Sequence, residues 1–504
     1  MTTDAIIAVD QGTSSTKCLV IERSGDVLAR ASVPLAESCP RPGWVEQDGE
    51  EIWASVNSAV AQATHQVDAV RVAAIGFSTQ RESLMLWDRR SGAAISSLLS
   101  WQDQRTVFLA RGMRNGDAPE RVRMISGLPL DPMFSALKAR WLLDAYDQDR
   151  IRSRAGALAL GTVDSWLVSR LGGGHTIEIG NASRTQLLDT RRGVWSDELC
   201  ALFGVAKQAL PAVTSSVGPF PKTRAFASLP DGIPIAAVLG DSHAALFGHG
   251  LHATGTVKAT YGTGSSVMGL IGERVVGDAS GTCLTIAWQV RDAPPAYAVE
   301  GNIRSAGSTL RWLANIFGLS VEELIGEAIT APAAQVHLVP AFNGLGAPYW
   351  DDNATALLAD FKLSTTRSAL FRGAFESIPH QVADVIEDVE RSTGLTINEL
   401  HADGGPSANN DLMQLQADLV GRPVYRATTS ELSALGAAHL AGLATGFWSE
   451  AEIAHLSRRR DEFRPQIGDA ARAEQRMRWR DAVCRSRGAP VPRETSRIAN
   501  AACD

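Results

Sequence analysis

The stretch IIAVDQGTSSTKCLV, residues 6–20, decides the fold of this chain. It predicts an apolar strand, a tight turn of glycine and small hydroxyl residues, and a second apolar strand. Such a turn points backbone N–H groups and hydroxyls at phosphate, and Asp10 lies where a divalent cation would join it. The turn leads into a strand rather than a helix, and no G-x-x-x-x-G-K-[ST] motif occurs, which excludes a Walker loop.

A second stretch repeats this pattern half a chain later. The sequence VKATYGTGSSVMGL, residues 257–270, again reads as strand, glycine-threonine turn and strand. Thr13 and Thr263 lie 250 positions apart, which indicates an internal duplication. A chain of 504 residues is too long for one core. Two domains of roughly 200–250 residues are therefore expected, facing one another.

Three further apolar strands each end in polar or glycine-rich residues. They are predicted over residues 70–77, 233–239 and 400–403, and they lead into Ser78–Glu82, Gly240-Asp241 and Gly404-Gly405. Ligands collect at such strand ends in open α/β sheets. Helices are predicted to start after Asp48, with Glu51 completing a capping box, directly after Asp241, near Asn409, and over residues 430–446.

Bulk composition excludes several classes of function. The formal net charge of -7 argues against a nucleic-acid partner. Six scattered cysteines without a C-x-x-C pair indicate reduced thiols rather than a disulfide frame or a zinc site. No signal peptide precedes the first strand, and no apolar run approaches the ~20 residues that cross a bilayer. A cytoplasmic protein with no membrane partner is expected.

The arginine-rich tail from residue 458 onward loses strand character. Acidic residues interrupt its positive charge, which favours a solvated helix over a nucleic-acid arm. We predict that helix over residues 473–484 with Trp479 packing inward, and a disordered end from Pro490.

The polar strand ends supply the parts that phosphoryl transfer needs. Those parts are a cradle for the phosphates, a cation between their oxygens, and a carboxylate that accepts the acceptor's proton. The cradles are residues 12–15 and 262–264, the cation-side carboxylate is Asp10, and the candidate base is Asp241. A single aspartate at a strand end is usually a turn former, but the whole set together is rarely so.

Several collinear motifs over Ile6 to Trp448 resemble the FGGY carbohydrate kinases, most closely their glycerol kinase branch. The motifs are VDQGTSSTK (9–17), STQRES (78–83), LWDRRSG (86–92), SWQDQRT (100–106), GLPLDP (127–132), GDSHAALFG (240–248), KATYGTGSS (258–266), PAFNGLGAPYWD (340–351) and DGGPSANNDLMQLQAD (403–418). The resemblance implies two duplicated α/β domains of the actin/hexokinase type (ribonuclease H-like), with an interdomain active-site cleft. The implied divisions are residues 1–250 for the acceptor and first phosphate turn, 251–450 for the nucleotide, and 451–504 for the C-terminal helix and tail.

The resemblance also assigns roles by position. It implies Mg-ATP as donor, a small-molecule acceptor, and assembly as a homodimer or homotetramer. Asp10 matches the Mg²⁺-site aspartate, with Asp241 as catalytic base and second carboxylate near the metal. The matched nucleotide contacts are Thr13, Ser14, Ser15, Lys17, Thr263, Gly307, Gly405 and Asn409. The matched acceptor contacts are Gln80, Arg81, Glu82, Trp101, Met133, Asp241, Ser242 and Ser266. An Arg-Glu pair offers each hydroxyl a donor and an acceptor.

Departures from the glycerol kinase pattern cluster in the acceptor contacts. Met133 stands where glycerol kinases carry Tyr, Ser242 where they carry Gln, and Ser266 where they carry Phe. These changes enlarge the pocket, so glycerol would leave voids and unpaired polar groups. We therefore expect a four- or five-carbon polyol or ketose, phosphorylated on a terminal hydroxyl. The xylulose kinase signature M-H-G is absent, and Thr79-Gln80-Arg81 takes its place.

Two alternatives stay open at this point. Glycerol is retained if the three changes are neutral drift, and the fold alone also permits a non-catalytic nucleotide-binding relative. Intact Asp10, Asp241, Arg81 and Glu82 favour an enzyme. The remaining histidines are interpreted as structural (His243) or as surface residues (His249, His252).

Overall fold

The computed structural model describes residues 3–67, 70–227, 229–272, 281–333, 336–456 and 458–488. The predicted disordered end from Pro490 lies outside the described residues.

The first part of the chain is strand-rich and then helical. Its elements are β1 (Thr3–Gln11), β2 (Ser15–Glu22), β3 (Val27–Pro34), β4 (Glu46–Gln47), α1 (Gly49–Thr64), β5 (Val70–Thr79), β6 (Leu84–Asp88), β7 (Leu98–Leu99), α2 (Val107–Met113), α3 (Ala118–Ser126), α4 (Ser135–Tyr146), α5 (Ile151–Arg154), β8 (Leu158–Thr162), α6 (Val163–Arg170), β9 (Thr176–Glu178), α7 (Ile179–Ser183), β10 (Leu188–Asp189), β11 (Val194–Trp195), α8 (Asp197–Phe203), β12 (Ala212–Thr214), β13 (Ile235–Gly240) and α9 (Asp241–Gly248). Half of the predicted capping box of α1 forms: the Asp48 carboxylate accepts from the backbone N–H of Glu50 and Glu51, and among the described residues the Glu51 side chain does not bond back to the Asp48 N–H.

The second part restarts with a hairpin. Its elements are β14 (Thr256–Tyr261), β15 (Ser265–Leu270), β16 (Cys283–Trp288), β17 (Ala296–Ile303), α10 (Gly307–Phe317), α11 (Val321–Ala328), β18 (His337–Val339), β19 (Leu357–Ala359), α12 (Arg367–Thr393), β20 (Glu399–Asp403), α13 (Asn410–Val420), β21 (Val424–Ala427), α14 (Leu432–Thr445), α15 (Glu450–His455), β22 (Arg460–Phe463) and α16 (Asp469–Ser486). Short 3₁₀ turns cover Lys207–Ala209 and Gly405–Ala408.

The two main sheets share one topology. The first has the order β13-β5-β1-β2-β3, and the second contains β21-β20-β14-β15-β17. In each, three parallel strands adjoin two antiparallel ones, and the strand–turn–strand hairpin lies in the middle. The sequence predicted this duplication from the two glycine-threonine turns.

A crossing of two helices joins the halves. Helix α14, from the second half, packs on the first sheet and against α9. The contact is close because it uses glycine: a Cβ on Gly436 would lie 1.8 Å from the Ala244 carbonyl oxygen, and one on Gly76 would lie 2.3 Å from that of Ala437. Small residues therefore bring the two sheets together with their ligand-facing edges in a common cleft.

The C-terminal helix α16 packs on α12, and Trp479 packs inward as predicted. Trp479 is 1% exposed, stacks on His380 with ring centroids 5.0 Å apart, and donates to Asp384 at 2.8 Å. The expected loss of strand character from residue 458 is wrong for Arg460–Phe463, because β22 pairs with β21 in the second sheet. No helix within the described ranges is long and apolar enough to cross a membrane.

Candidate active site

Three parallel strands bring the acidic residues to one edge of the first sheet. In the β1–β5 register Asp10 is paired with Ser78, and in the β13–β5 register Gly240 is paired with Thr79. Asp241 then opens α9. The carboxyl ends of β1, β5 and β13 thus place Asp10 and Asp241 beside each other, because parallel strands end on the same side.

Asp10 is half-buried at the end of β1, in an electrostatically unfavourable place. Burial raises its pKa to about 6, a hydrogen bond from Ser78 Oγ at 2.8 Å works against the rise, and the negative charge of Asp241 adds to it. Two like charges facing one space favour a divalent cation between them. Within the described residues no cluster of three or more metal-ligating side chains forms. Such a pair suits Mg²⁺, which is commonly held by one or two carboxylates plus phosphate oxygens and water.

The two glycine-threonine turns have similar tight geometry. The N–H of Gly12 donates to Ser15 O at 3.0 Å, and that of Gly262 donates to Gly264 O at 2.8 Å. Lys17 pairs with Asp10 in the β1–β2 register, and the intervening Ser14 is exposed. Both turns keep their tips open, as a phosphate-binding turn requires.

Helix α10 starts on the second turn. The N–H of Gly307 donates to Gly262 O at 3.0 Å, and a Cβ on Gly307 would lie 2.6 Å from that oxygen. Arg311, one turn further along, donates to the Thr263 hydroxyl at 2.8 Å. Sequence reasoning missed Arg311, because its reach to Thr263 depends on how α10 docks.

The Gly405–Asn409 segment lies on the same edge of the second sheet, because β20 runs parallel to β14. It forms the 3₁₀ turn that precedes α13. Asn409 caps this helix, with its side-chain oxygen accepting from Leu412 N at 2.8 Å. Gly404 is required here, since its φ is +90° and a Cβ would lie 2.0 Å from Tyr261 O. The turn is therefore fixed against the hairpin that carries Thr263.

Arg81 and Glu82 lie buried beside Asp241. Arg81 Nε donates to Asp241 Oδ1 at 3.0 Å, while its two Nη atoms donate to Glu300 at 2.9 and 2.7 Å. Glu82 accepts from Arg184 Nε at 2.6 Å. The backbone of Glu82 has a φ of 62°, a left-handed conformation that is strained for this residue and is typical of functional sites.

Glu300 and Arg184 are residues that sequence reasoning missed. Both are fully buried, and they form an ion pair with an N–O distance of 2.9 Å. The available signal was a charged residue inside each of two otherwise apolar or small-residue stretches, YAVEGNI and NASRT. Such a charged residue is expected to be buried and paired with an opposite charge, but the local sequence does not indicate which residue carries that charge.

Gln80 has a different place from the one its motif suggested. Its side chain is 1% exposed, and its amide bonds to Gln47 at 2.9 Å, to Gln11 at 3.3 Å and to the Ser83 hydroxyl at 2.8 Å. These partners use both N–H donors of the amide and one of the two acceptor positions of its oxygen. Gln80 therefore supports the site from beneath instead of facing an acceptor.

The predicted acceptor contacts Trp101 and Met133 are both held by hydrogen bonds to neighbouring residues. Trp101 donates from Nε1 to Thr13 Oγ1 at 3.0 Å. Met133 packs against a small cluster that contains Phe134, and its backbone N–H donates to Asp131 at 2.9 Å. The buried Lys138 holds the same loop, since its ammonium donates to Met133 O at 2.6 Å.

The two serines that replace larger residues face the same region. Ser242 is half-buried, and in the described parts of the chain its hydroxyl bonds to no protein group. Ser266 donates to Glu300 Oε1 at 2.7 Å. Ser266 is paired with Asn302 across β15 and β17, so both lie on one face of the second sheet.

The structure agrees with the sequence interpretation for His243 and His252 but not for His249. His249 is buried, not at the surface, and its Nε2 lies 2.7 Å from Asp403 Oδ2. The error has a tertiary cause, because α9 ends against β20. His252 is exposed, and His243 is buried with Nε2 3.1 Å from Thr285 Oγ1. Burial holds the pKa of His243 well below its usual value, with Arg81 adding to this, so a neutral structural role fits it.

The two duplicated α/β units carry the two glycine-threonine turns and the paired carboxylates Asp10 and Asp241. They also carry a polar edge of Arg81, Glu82 and Ser266, here called the acceptor edge. Together these features define a sugar or polyol kinase of the actin/hexokinase fold. Sequence models of the FGGY family of carbohydrate kinases match, with the N-terminal domain at residues 5–248 and the C-terminal domain at 257–445. The chain belongs to this family. It is an ATP-dependent carbohydrate kinase, and the predicted fold class is confirmed.

Relatives carry more than one substrate name. The chain is 40% identical to a glycerol kinase of Geobacter sp. (strain M21), over 96% of this chain and 99% of that one. It is 39% identical to an apulose kinase of Pectobacterium atrosepticum, over 97% and 100% of the two chains. The crystal structure of Plasmodium falciparum glycerol kinase with ADP superposes with a TM-score of 0.89 at 27% identity, covering 96% of this chain and 98% of that one.

Proposed function

We propose that this kinase transfers the γ-phosphoryl group of Mg-ATP to a terminal hydroxyl of a four- or five-carbon polyol or ketose. The observation that carries the proposal is the acceptor edge itself. Arg81, Glu82 and Asp241 are in place to hold hydroxyls, while Ser242 and Ser266 leave room beside them. A relative named apulose kinase supports a sugar as acceptor.

In the proposed mechanism Asp241 accepts the proton of the acceptor hydroxyl. One oxygen of its carboxylate takes hydrogen bonds from Arg81 Nε and from the Ser242 N–H at 2.6 Å. The side chain remains 39% exposed, so it is accessible to an acceptor.

The donor side is assigned to the two turns. Thr13, Ser14, Ser15 and Lys17 contact phosphates from the first sheet, and Thr263 with Gly307 does so from the second. Gly405 and Asn409 contact the adenosine. Asp10, with Asp241, would hold Mg²⁺, which neutralises phosphate oxygens during transfer when bound. Closure of the cleft excludes water from the site.

The proposal also covers the division into domains, the cellular setting and the assembly of the protein. Residues 1–250 form the acceptor domain, 251–450 the nucleotide domain, and 451–504 an accessory helix with its tail. Free thiols at Cys18, Cys39, Cys200, Cys283 and Cys484 support a reducing, cytoplasmic setting. A homodimer or homotetramer is the proposed assembly.

Glycerol is the second candidate acceptor, favoured by relatives named glycerol kinase. The test is acceptor-dependent ADP release with glycerol, erythritol, D-xylulose, L-ribulose and apulose. The proposal expects a higher kcat/KM for one of the four- or five-carbon compounds than for glycerol. A glycerol preference of tenfold or more would establish the alternative, and no ADP release with any of them would argue against this acceptor class.

A further inference from the structure

Glu300 lies on the second sheet and accepts hydrogen bonds from several polar groups at the acceptor edge. It lies on β17, is fully buried, and accepts from both Nη atoms of Arg81, from Ser266 Oγ at 2.7 Å and from Asn302 Nδ2 at 3.2 Å. Arg184 Nη1 lies 2.9 Å from its second oxygen. Burial alone would raise the pKa of Glu300, but the guanidinium groups of Arg184 and Arg81 hold it well below its usual value.

Arg81 lies between Glu300 and Asp241 and donates hydrogen bonds to both carboxylates. Arg81 gives both Nη groups to Glu300 in a bidentate pair, which fixes the plane of the guanidinium. Nε is the atom that reaches Asp241, at 3.0 Å from Oδ1, and within the described residues no Nη atom bonds to that carboxylate. Oδ1 also accepts from the Ser242 N–H, and within the described residues Oδ2 receives no hydrogen bond.

We propose that Glu300 is a positioning residue for the transfer reaction: its bidentate pair with Arg81 fixes the guanidinium in an orientation in which only Nε bonds to Asp241, at one oxygen, and the other oxygen stays open for the acceptor hydroxyl. The inference rests on the proposed role of Asp241 as base. Without the Glu300 charge, Arg81 is free to turn toward Asp241 and occupy both of its oxygens, so neither oxygen stays open for the acceptor hydroxyl.

The pair also connects the two halves of the molecule. Arg81 follows β5 of the first sheet, and Glu300 belongs to β17 of the second. The acceptor edge is therefore complete only when the second sheet is in place. This arrangement links the orientation of the base to the position of the sheet that carries Thr263.

A double-mutant cycle tests the proposal with Glu300→Gln, Arg81→Lys and the double variant. Steady-state kinetics use glycerol and D-xylulose as probe acceptors. We expect Glu300→Gln to lower kcat/KM for the acceptor by about 10²-fold, as misplacement of a reacting group does. The KM for Mg-ATP should stay within about threefold of the wild-type value, which is a difference of less than ~0.7 kcal/mol. In the Arg81→Lys background the same change should have little further effect.

Additive losses in the cycle would overturn the proposal, since Glu300 would then act independently of Arg81. An unchanged kcat/KM for Glu300→Gln would overturn it as well. If Glu300→Gln does not fold, Glu300→Asp carries the test, because it keeps the charge but shortens the reach. An acceptor kcat/KM of Glu300→Asp at the wild-type level would equally count against positioning.

A matched control separates positioning from general loss of a buried ion pair. Asp384 forms an equally buried pair with Arg476, between α12 and α16. Asp384→Asn should lower the unfolding temperature and leave the acceptor kcat/KM at the wild-type level. If Asp384→Asn lowers that kcat/KM as much as Glu300→Gln does, the effect of Glu300 is general destabilisation and the proposal fails. Asp241→Asn, measured in parallel, reports on the base itself, so retained turnover there refutes the proposed mechanism and not only the role of Glu300.

Discussion

The indole Nε1 of Trp101 donates a hydrogen bond to the hydroxyl of Thr13 at 3.0 Å. Both residues were singled out from sequence for different ligands, Trp101 for the acceptor and Thr13 for the nucleotide, and the bond makes them neighbours. If both proposed roles hold, the acceptor and nucleotide sites share a boundary at this pair.

Replacing Trp101 with Phe tests that boundary. The ring is largely kept, but the bond to Thr13 is lost, and a hydrogen bond of this kind contributes about 0.5–1.5 kcal/mol. We expect a fall of about three- to tenfold in kcat with smaller changes in either KM. Steady-state kinetics with both substrates varied would show it. An effect confined to the acceptor KM would mean that only the ring matters.

Asp241→Asn should abolish most turnover. Because general base catalysis contributes about 10²–10⁴-fold, kcat should fall by that order while ADP still binds. Acceptor-dependent ADP release gives kcat, and titration calorimetry gives the ADP affinity. Turnover within about tenfold of wild type would exclude Asp241 as the base.

The combined change Ser242→Gln and Ser266→Phe should move acceptor preference toward glycerol. The larger side chains fill the space beside Arg81 and Asp241, where each unpaired hydroxyl or void disfavours a ligand. We expect the ratio of kcat/KM values for glycerol over D-xylulose to rise by about tenfold or more, the range that pocket contacts of one or two groups produce. The KM for Mg-ATP is the internal reference. An unchanged ratio would show that pocket size at these positions does not set specificity.

Asp10 predicts a pH dependence of cation binding. Its pKa is raised to about 6, so the carboxylate is ionised at pH 7.5 and protonated at pH 5. Mg²⁺-dependent nucleotide affinity should therefore weaken as the pH falls through about 6. Calorimetry at several pH values measures this, and Asp10→Asn should remove the dependence. A flat profile in the wild type would exclude Asp10 as the pH-sensitive ligand.

The raised pKa of Asp10 also predicts that the free energy of unfolding falls as the pH rises, whereas Mg²⁺-dependent nucleotide affinity rises with pH. A folded-state pKa above 3.8 means that the folded protein binds this proton more tightly, so ionised Asp10 destabilises it above about pH 6. Asp10→Asn should then raise the free energy of unfolding at pH 7.5 by about 1–3 kcal/mol. The gain should vanish near pH 4, where the wild-type carboxyl is neutral. Urea unfolding at the two pH values checks this, and equal gains at both would contradict the electrostatic cause.

Gly307→Ala should weaken nucleotide binding. The new Cβ would lie 2.6 Å from the Gly262 carbonyl oxygen, so α10 must move away from the second phosphate turn. We expect the KM for Mg-ATP to rise about tenfold, since an ångström of misplacement is costly, with the acceptor KM nearly constant. Gly326→Ala is the matched control, because a Cβ there meets nothing within 4 Å. Equal behaviour of the two variants would contradict the docking argument.

Local pattern was sufficient for the elements that build the site. Apolar runs on either side of the glycine-threonine turns predicted the hairpins β1–β2 and β14–β15, and Asp48 predicted the start of α1. These features depend on neighbours in sequence, so the sequence reveals them. His249 was misplaced because its partner Asp403 is far away in the chain and no local period indicates it.

By itself, the sequence determined the duplicated fold, the family, and the strand ends where chemistry is expected. Those properties follow from periodicity, turn chemistry and motif order. Only the tertiary structure decided which charges meet: Glu300 of the second half reaches Arg81 of the first, Arg184 reaches Glu82 from a distant segment of the same half, and Gln80 is buried against Gln47. Partners of buried charges are set by sheet packing between distant segments, and one chain's residue order does not encode that pairing in any local pattern.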